Sequence, residues 1–223
     1  MSKLIEIKNL CYTAENGIAI FENVDAAFYE GEKVGIIGAL GSGKATLTRL
    51  LLGLEKPQMG RVYLFDKDIE SLKRPELDRM RQEIGVVFEN AAVISNLKVI
   101  ENVMLPLQYH ANLASDSIME RAFFLLSRMG YEGDIWTLPG PLPSRTKKII
   151  VLARAMALDP VIMIYDRLLQ GFDSYQSLQL LGFIDEFHKS RNDRLSIMLA
   201  NDERDLKDVR LDRILRIENR RIV

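Results

Sequence analysis

The residues with the clearest chemical purpose are GALGSGKAT, Gly38 to Thr46. Gly38, Gly41 and Gly43 let the backbone approach a ligand closely and turn N–H groups inward, with Ser42 between them. A helix starting after such a turn adds its positive N-terminal end, and Lys44 can reach the terminal phosphates of a nucleotide. The pattern GxxxxGK[ST] asks for a hydroxyl directly after the lysine, to bind Mg²⁺. Here Ala45 stands in that place. Thr46 carries a hydroxyl, but one residue further on it points in another direction on the helix.

The elements around this loop can position it. KVGIIG before it is a short β-rich run, and TLTRLLLGL after it has helical spacing, ending at Gly53 or Pro57. LIEI, IAIFENVDAAFY, GRVYLF and IGVVFE read as further strands, and RPELDRMRQE as a short surface helix. VIENVMLPLQY, DSIMERAFFLLSRMGY and SRTKKIIVLARAMAL all have helical spacing, so the segment 90–158 is expected to be mostly helical. VIMIYD and LSIMLA read as buried strands, SYQSLQLLGFIDEFHKS as an amphipathic helix between them, and DRILRIENRRIV as a closing hairpin. Strand–loop–helix, a helical insertion and renewed alternation predict a parallel α/β sheet with a helical subdomain.

Composition narrows the function classes. The chain has 223 residues, 48% hydrophobic and 27% charged, which suits one globular domain with a sizeable core. Thirty basic against 31 acidic residues give a formal net charge of −1, so no global field favours nucleic acid. The single cysteine, Cys11, can form no internal disulfide and is expected to be a small buried hydrophobe in a strand. No segment approaches the roughly 18 apolar residues of a membrane span, and the start MSKLIEIKNL lacks the apolar run of a signal peptide. The two histidines, His110 and His188, fall in predicted helices and are expected at the surface or between helices, with no metal or triad role.

Taken in order, the loop, IGVVFEN, LPGPLPSRTKKIIVLARAMALDP, VIMIYDRLLQGFD and SIMLANDERD resemble the ATP-binding subunits of ABC transporters along almost the whole chain. ENVMLPL, the LARAMALDP helix and the stretch around GFD look closest to short bacterial subunits of lipid-trafficking, lipoprotein-releasing and cell-division systems. The resemblance implies a P-loop NTPase (RecA-like) α/β core with an N-terminal antiparallel β subdomain and an inserted α-helical subdomain. The chain would form one ATP-binding domain over 1–223, with 1–89 and 159–223 as core and β subdomain and 90–158 as the helical part.

The same resemblance exposes systematic departures. The family's strand-ending glutamine, which contacts Mg²⁺, is Glu89. Its LSGGQ signature, which offers a serine hydroxyl and glycine N–H groups to the γ-phosphate on the other subunit, corresponds to Leu142, Pro143, Ser144, Arg145 and Thr146. Pro143 has no N–H, and Arg145 adds bulk where backbone must approach closely. Asp166 remains for an indirect Mg²⁺ contact, but Arg167 stands where the family has the glutamate that polarises water. Arginine stays charged and cannot take that proton, and a general base is worth roughly 10²–10⁴ in rate. The following histidine is Asn201. Two elements persist: Gly171–Asp173, matching a loop that communicates across the dimer, and Tyr12, where the family places the aromatic that stacks on adenine, although it could equally be ordinary sheet packing.

The expectation is therefore an ATP-binding subunit with degenerate catalytic groups, retained as a structural or regulatory module. It would bind ATP with little or no use of Mg²⁺, dock on a transmembrane permease, and form a homodimer or a heterodimer with another ABC subunit. Its place would be cytoplasmic, on the inner face of a bacterial membrane. The competing expectation is a working ATPase with relocated groups, for which Glu89 is the nominated base. A chromosome-maintenance relative is disfavoured, because the chain has no long heptad insertion and no basic excess.

Overall fold

A computed structural model describes residues 2–223 and divides the chain into two compact units, 1–81 with 191–223 and 82–190. In the first unit, β1 (Lys3–Thr13), β2 (Ala19–Tyr29), β4 (Met59–Leu64) and β5 (Lys67–Asp68) form an antiparallel sheet in the order β2-β1-β4-β5. The alternation seen in LIEI serves this sheet: Ile5 and Ile7 are buried, while Glu6 between them forms ion pairs with Lys3 and Lys8. Cys11 lies in β1 as expected, but it is only half-buried. Its sulfur accepts the N–H of Asn23, which occupies the left-handed region at φ 49°.

The same unit contains β3 (Lys33–Ile37), whose five residues are all buried. It pairs in parallel with β8 (Leu195–Ala200) on one side and with β9 (Arg213–Glu218) on the other, and β10 (Arg221–Ile222) closes a hairpin on β9. Continuous apolar runs such as GII and IMLA are what a parallel sheet covered on both faces requires. Helix α1 (Lys44–Leu51) follows the glycine loop and ends at Gly53, which takes φ 63°, so the first of the two expected stops operates. Helix α2 (Arg74–Gln82) buries none of its residues and is tied down by Arg81, which donates to the carbonyls of Leu52 and Gly53 at 2.9 and 3.1 Å.

In the second unit, β6 (Ile84–Val87) pairs in parallel with β7 (Ile162–Asp166), register Val87 to Tyr165. Helices α3 (Val99–His110), α4 (Ser115–Arg128) and α5 (Ser144–Met156) pack together, and α6 (Ser174–Lys189) follows β7. Ile118, Ala122 and Leu125 of α4 recur at helical spacing and are buried. His110 is exposed at the end of α3, and His188 is buried in α6.

Asn102 organises the loop after β6. Fully buried in α3, it accepts the N–H of Ile94 at 2.8 Å and donates to the carbonyls of Ile94, Leu97 and Lys98 at 3.0–3.1 Å. One side chain thereby satisfies backbone groups that the loop cannot pair for itself. Among the described residues, no helix is long and apolar enough to cross a membrane.

The glycine loop is braced by β2. A Cβ on Gly43, which sits at φ 104°, would stand 2.5 Å from Ile20 Cγ2 and 2.9 Å from Phe21 Cζ. Gly43→Ala combines this overlap with left-handed backbone, and it is expected to lower the stability by about 1–3 kcal/mol. A urea-unfolding midpoint unchanged from the parent would refute the brace.

Candidate nucleotide site

The first unit carries the phosphate-loop residues. Gly38 is buried, and its N–H donates to Ala200 O at 3.1 Å, tying the start of the loop to the end of β8. Gly41 and Gly43 take φ 80° and 104°, and a Cβ on Gly38 would lie 2.4 Å from Ser42 Oγ. The loop therefore needs its glycines for local conformation and close packing at once. Lys44 is buried and folds back over the loop: its Nζ donates to the carbonyls of Gly38 and Ala39, the latter at 3.0 Å, and lies 3.5 Å from Ser42 Oγ.

The hydroxyls near the loop are turned elsewhere. Ala45 is exposed and has no oxygen to offer. Thr46 Oγ1 accepts from Arg49 at 3.4 Å, and the buried Thr48 hydroxyl donates to Lys44 O at 3.3 Å. Arg49 also pairs with Glu55, and that carboxylate pushes the Tyr12 pKa upward. Tyr12 is half-buried in β1. Asn201, just past β8, donates its N–H to Asp205, and its buried Oδ1 accepts no hydrogen bond among the described residues. The turn that follows is capped by Asp202, whose carboxyl Arg204 holds at about 2.

The second unit carries the remaining positions. Asp166 is buried at the end of β7. Arg167, at φ 47°, forms an ion pair with Glu89 through Nη1 and Oε1. The two residues that depart most in charge from the family pattern therefore neutralise each other. The carboxylate nominated as a substitute base is the partner of the arginine that replaced the usual one.

Lys148 was not anticipated. It is 5% exposed, and its Nζ donates to the carbonyls of Arg167, Leu168 and Gln170. Burial pushes its pKa down, while Glu89 acts to raise it. A lysine in SRTKK reads as a solvated helix start. The usable signal was its spacing, three and four residues before the apolar Val151 and Leu152, which places it on the buried stripe of α5.

The signature-equivalent residues lie across the start of α5. Leu142 and Pro143 precede it, and Ser144, Arg145 and Thr146 form its first turn, with no side-chain cap at Pro143. Arg145 reaches Gln176 at 3.3 Å, and Lys147 donates to Gly140 O at 2.8 Å. Asp173 caps α6 by accepting the N–H of Gln176 at 2.8 Å, so its place after Gly171 and Phe172 has a structural use as well.

The Arg167–Glu89 pair is only partly buried, with side chains 18% and 39% exposed, so its strength is limited by solvent. In a double-mutant cycle with Arg167→Gln and Glu89→Gln, the coupling in urea unfolding is expected to be about 1 kcal/mol or less at low salt. It should shrink at high ionic strength. Additive effects at every salt concentration would show that the two charges do not support each other.

Comparison with known proteins places this geometry. The ABC transporter family profile matches residues 21–169. The methionine import ATP-binding protein MetN of Geobacillus kaustophilus (strain HTA426) is 31% identical over 223 residues, covering 100% of this chain and 64% of that protein. MetN 1 of Bacillus thuringiensis subsp. konkukian (strain 97-27) is 32% identical over 203 residues, covering 90% of this chain and 59% of its own length. The chain thus spans about three fifths of the length of these curated relatives. Among solved structures, the dimeric structure of MJ0796, described as a bacterial ABC transporter cassette, superposes with a TM-score of 0.89 at 26% identity, covering 98% of this chain and 96% of that one. The strand–glycine loop–helix, the antiparallel sheet beside it and the helical segment have the ABC ATPase fold, and the chain belongs to the ABC transporter family.

Proposed function

We propose that the chain is the cassette subunit of an ABC transporter in which nucleotide binding has outlived hydrolysis, serving as a structural or regulatory partner of a membrane permease. The observation that carries this reading is the Arg167–Glu89 ion pair. The resemblance puts the water-polarising glutamate at 167 and a metal-contacting glutamine at 89. A permanent cation at 167 accepts no proton, and its guanidinium occupies the carboxylate that would have to substitute for it.

Magnesium fits the residues poorly. Ala45 supplies no oxygen, Thr46 is engaged by Arg49, and Glu89 by Arg167, which leaves Asp166 as the acid of the expected set. A triphosphate fits better: the two left-handed glycines, the start of α1 and Lys44 need no metal to offer positive charge. Lys44 would exchange its loop carbonyls for phosphate oxygens. The proposal is thus ATP bound as the free anion by Gly38, Gly41, Ser42, Gly43 and Lys44. Tyr12 is assigned to sheet support, since it is half-buried in β1 and stands opposite Phe21 of β2.

Assembly follows the relatives. MJ0796 has been seen as a dimer, including a post-hydrolysis state with ADP and Pi. For this chain we propose a dimer, with itself or with a second cassette, on the inner face of a membrane. Relatives named for methionine import and the resemblance to lipid-trafficking subunits suggest different cargoes. Both suit a domain that touches the permease and never the cargo, so no substrate is assigned.

Calorimetric titration with ATP tests the reading. Affinity in EDTA is expected to match that in Mg²⁺ within about threefold, and Lys44→Ala to weaken it at least about tenfold, the loss of one charge-assisted contact. Turnover should not exceed that of the Lys44→Ala control. Binding that needs Mg²⁺, or hydrolysis abolished by Lys44→Ala, would overturn it.

A further inference from the structure

Lys148 has no place in the phosphate site just described, yet it is the most heavily engaged buried cation of the second unit for which contacts are resolved. Its Nζ reaches Arg167 O at 2.8 Å, Gln170 O at 2.9 Å and Leu168 O at 3.4 Å, all within the segment that leaves β7. That segment has little regular structure of its own. It turns through left-handed Arg167 and Gly171, and it is held internally by Gln170 N–H to Arg167 O at 3.3 Å and Phe172 N–H to Leu169 O at 3.2 Å. Arg167 O accepts from Lys148 and from Gln170 together, so loss of the ammonium removes the common anchor of these turns.

We propose that Lys148 is a positioning residue: it fastens the first turns of α5, and with them the segment 142–147, to the segment 167–173, so that the two segments move as one. An ammonium has three donors and no acceptor, and three carbonyls from one loop match it. Burying it in contact with side chains alone would leave its charge poorly solvated, which is the cost the carbonyls offset. Its carrier is a regular helix with Ile150, Val151 and Leu152 buried beside it, so Lys148 has a rigid base from which to hold an irregular loop. A push on 142–147 therefore displaces 167–173, and Arg167 with it. The fastening is independent of the docking role proposed above; only its use by a partner rests on that reading.

Hydrogen exchange on the full chain, without nucleotide, separates the two. In Lys148→Met the amides of Gln170 and Phe172 are expected to exchange at least about tenfold faster, as loss of charge-assisted hydrogen bonds implies. Amides of β1 and β4 should be unchanged, and Lys148→Arg should restore most of the protection. A bulky maleimide on Ser144→Cys, in a Cys11→Ser background, should then speed exchange at Phe172 when Lys148 is present and add nothing in Lys148→Met. Unchanged exchange at Gln170 and Phe172, an equal rise in β1, or a label effect that survives Lys148→Met would each overturn the fastener, whatever the outcome of ATP titration.

Discussion

The ion pair between Arg167 and Glu89 sets how charge is arranged beside the end of β7. A guanidinium beside the end of a buried strand requires a counter-charge, because desolvation penalises an isolated ion far more than it penalises a pair. Glu89 supplies it from the residue that follows the neighbouring strand by two positions. Had 167 alone departed from the family pattern, its cation would follow the buried Asp166 and face a glutamine, which carries no charge. Had 89 changed alone, two acids would stand where the family has one. Measured against the pattern that the resemblance supplies, the two residues offset each other's charge.

The phosphate loop obeys a different constraint. Gly43 is required by Ile20 and Phe21, Gly38 by Ser42, and Gly41 by its own left-handed conformation, since a Cβ there would meet nothing within 4 Å. Two of the three glycines are therefore needed for packing whether or not a nucleotide ever arrives. Their retention follows from the sheet and from β2, and a chain can lose its chemistry without losing this turn.

Much of the architecture was legible because it rests on local period. The all-buried KVGII, the helical spacing of α4 and the stop at Gly53 follow from patterns of a few residues. What could not be read were contacts set by distant partners. Glu55 looks like an ordinary loop acid, yet it pairs with Arg49 of α1 and raises the pKa of Tyr12, 43 positions earlier. Asn102 looks like a polar break in VIENVMLPL, yet it is fully buried because four backbone groups of the preceding loop and helix start need it. Cys11 was expected to be buried and is not, since it lies at the irregular pairing of β1 with β2, where register shifts interrupt the alternation that the expectation assumed. In the site, the added charge at 89 and the reversed charge at 167 were visible residue by residue against the resemblance; that the two meet was not.

Lys44 is the residue on which packing and ligand binding make different demands. The glycines serve local packing, whereas Lys44 braces the loop through the Gly38 and Ala39 carbonyls and brings a charge that these neutral groups do not balance. Burying Lys44 to 7% exposure costs desolvation, offset by the carbonyls of buried Gly38 and exposed Ala39. A methionine or leucine there would fill comparable volume without that cost. The function proposed above gives that charge a partner, an anion that Lys44 would meet for part of its time. That argument does not extend to Arg167, whose charge is already answered by Glu89. On the reading proposed above, the two cations divide the roles of this chain: Lys44 would exchange its carbonyl partners for a phosphate, and Arg167 stays paired with Glu89.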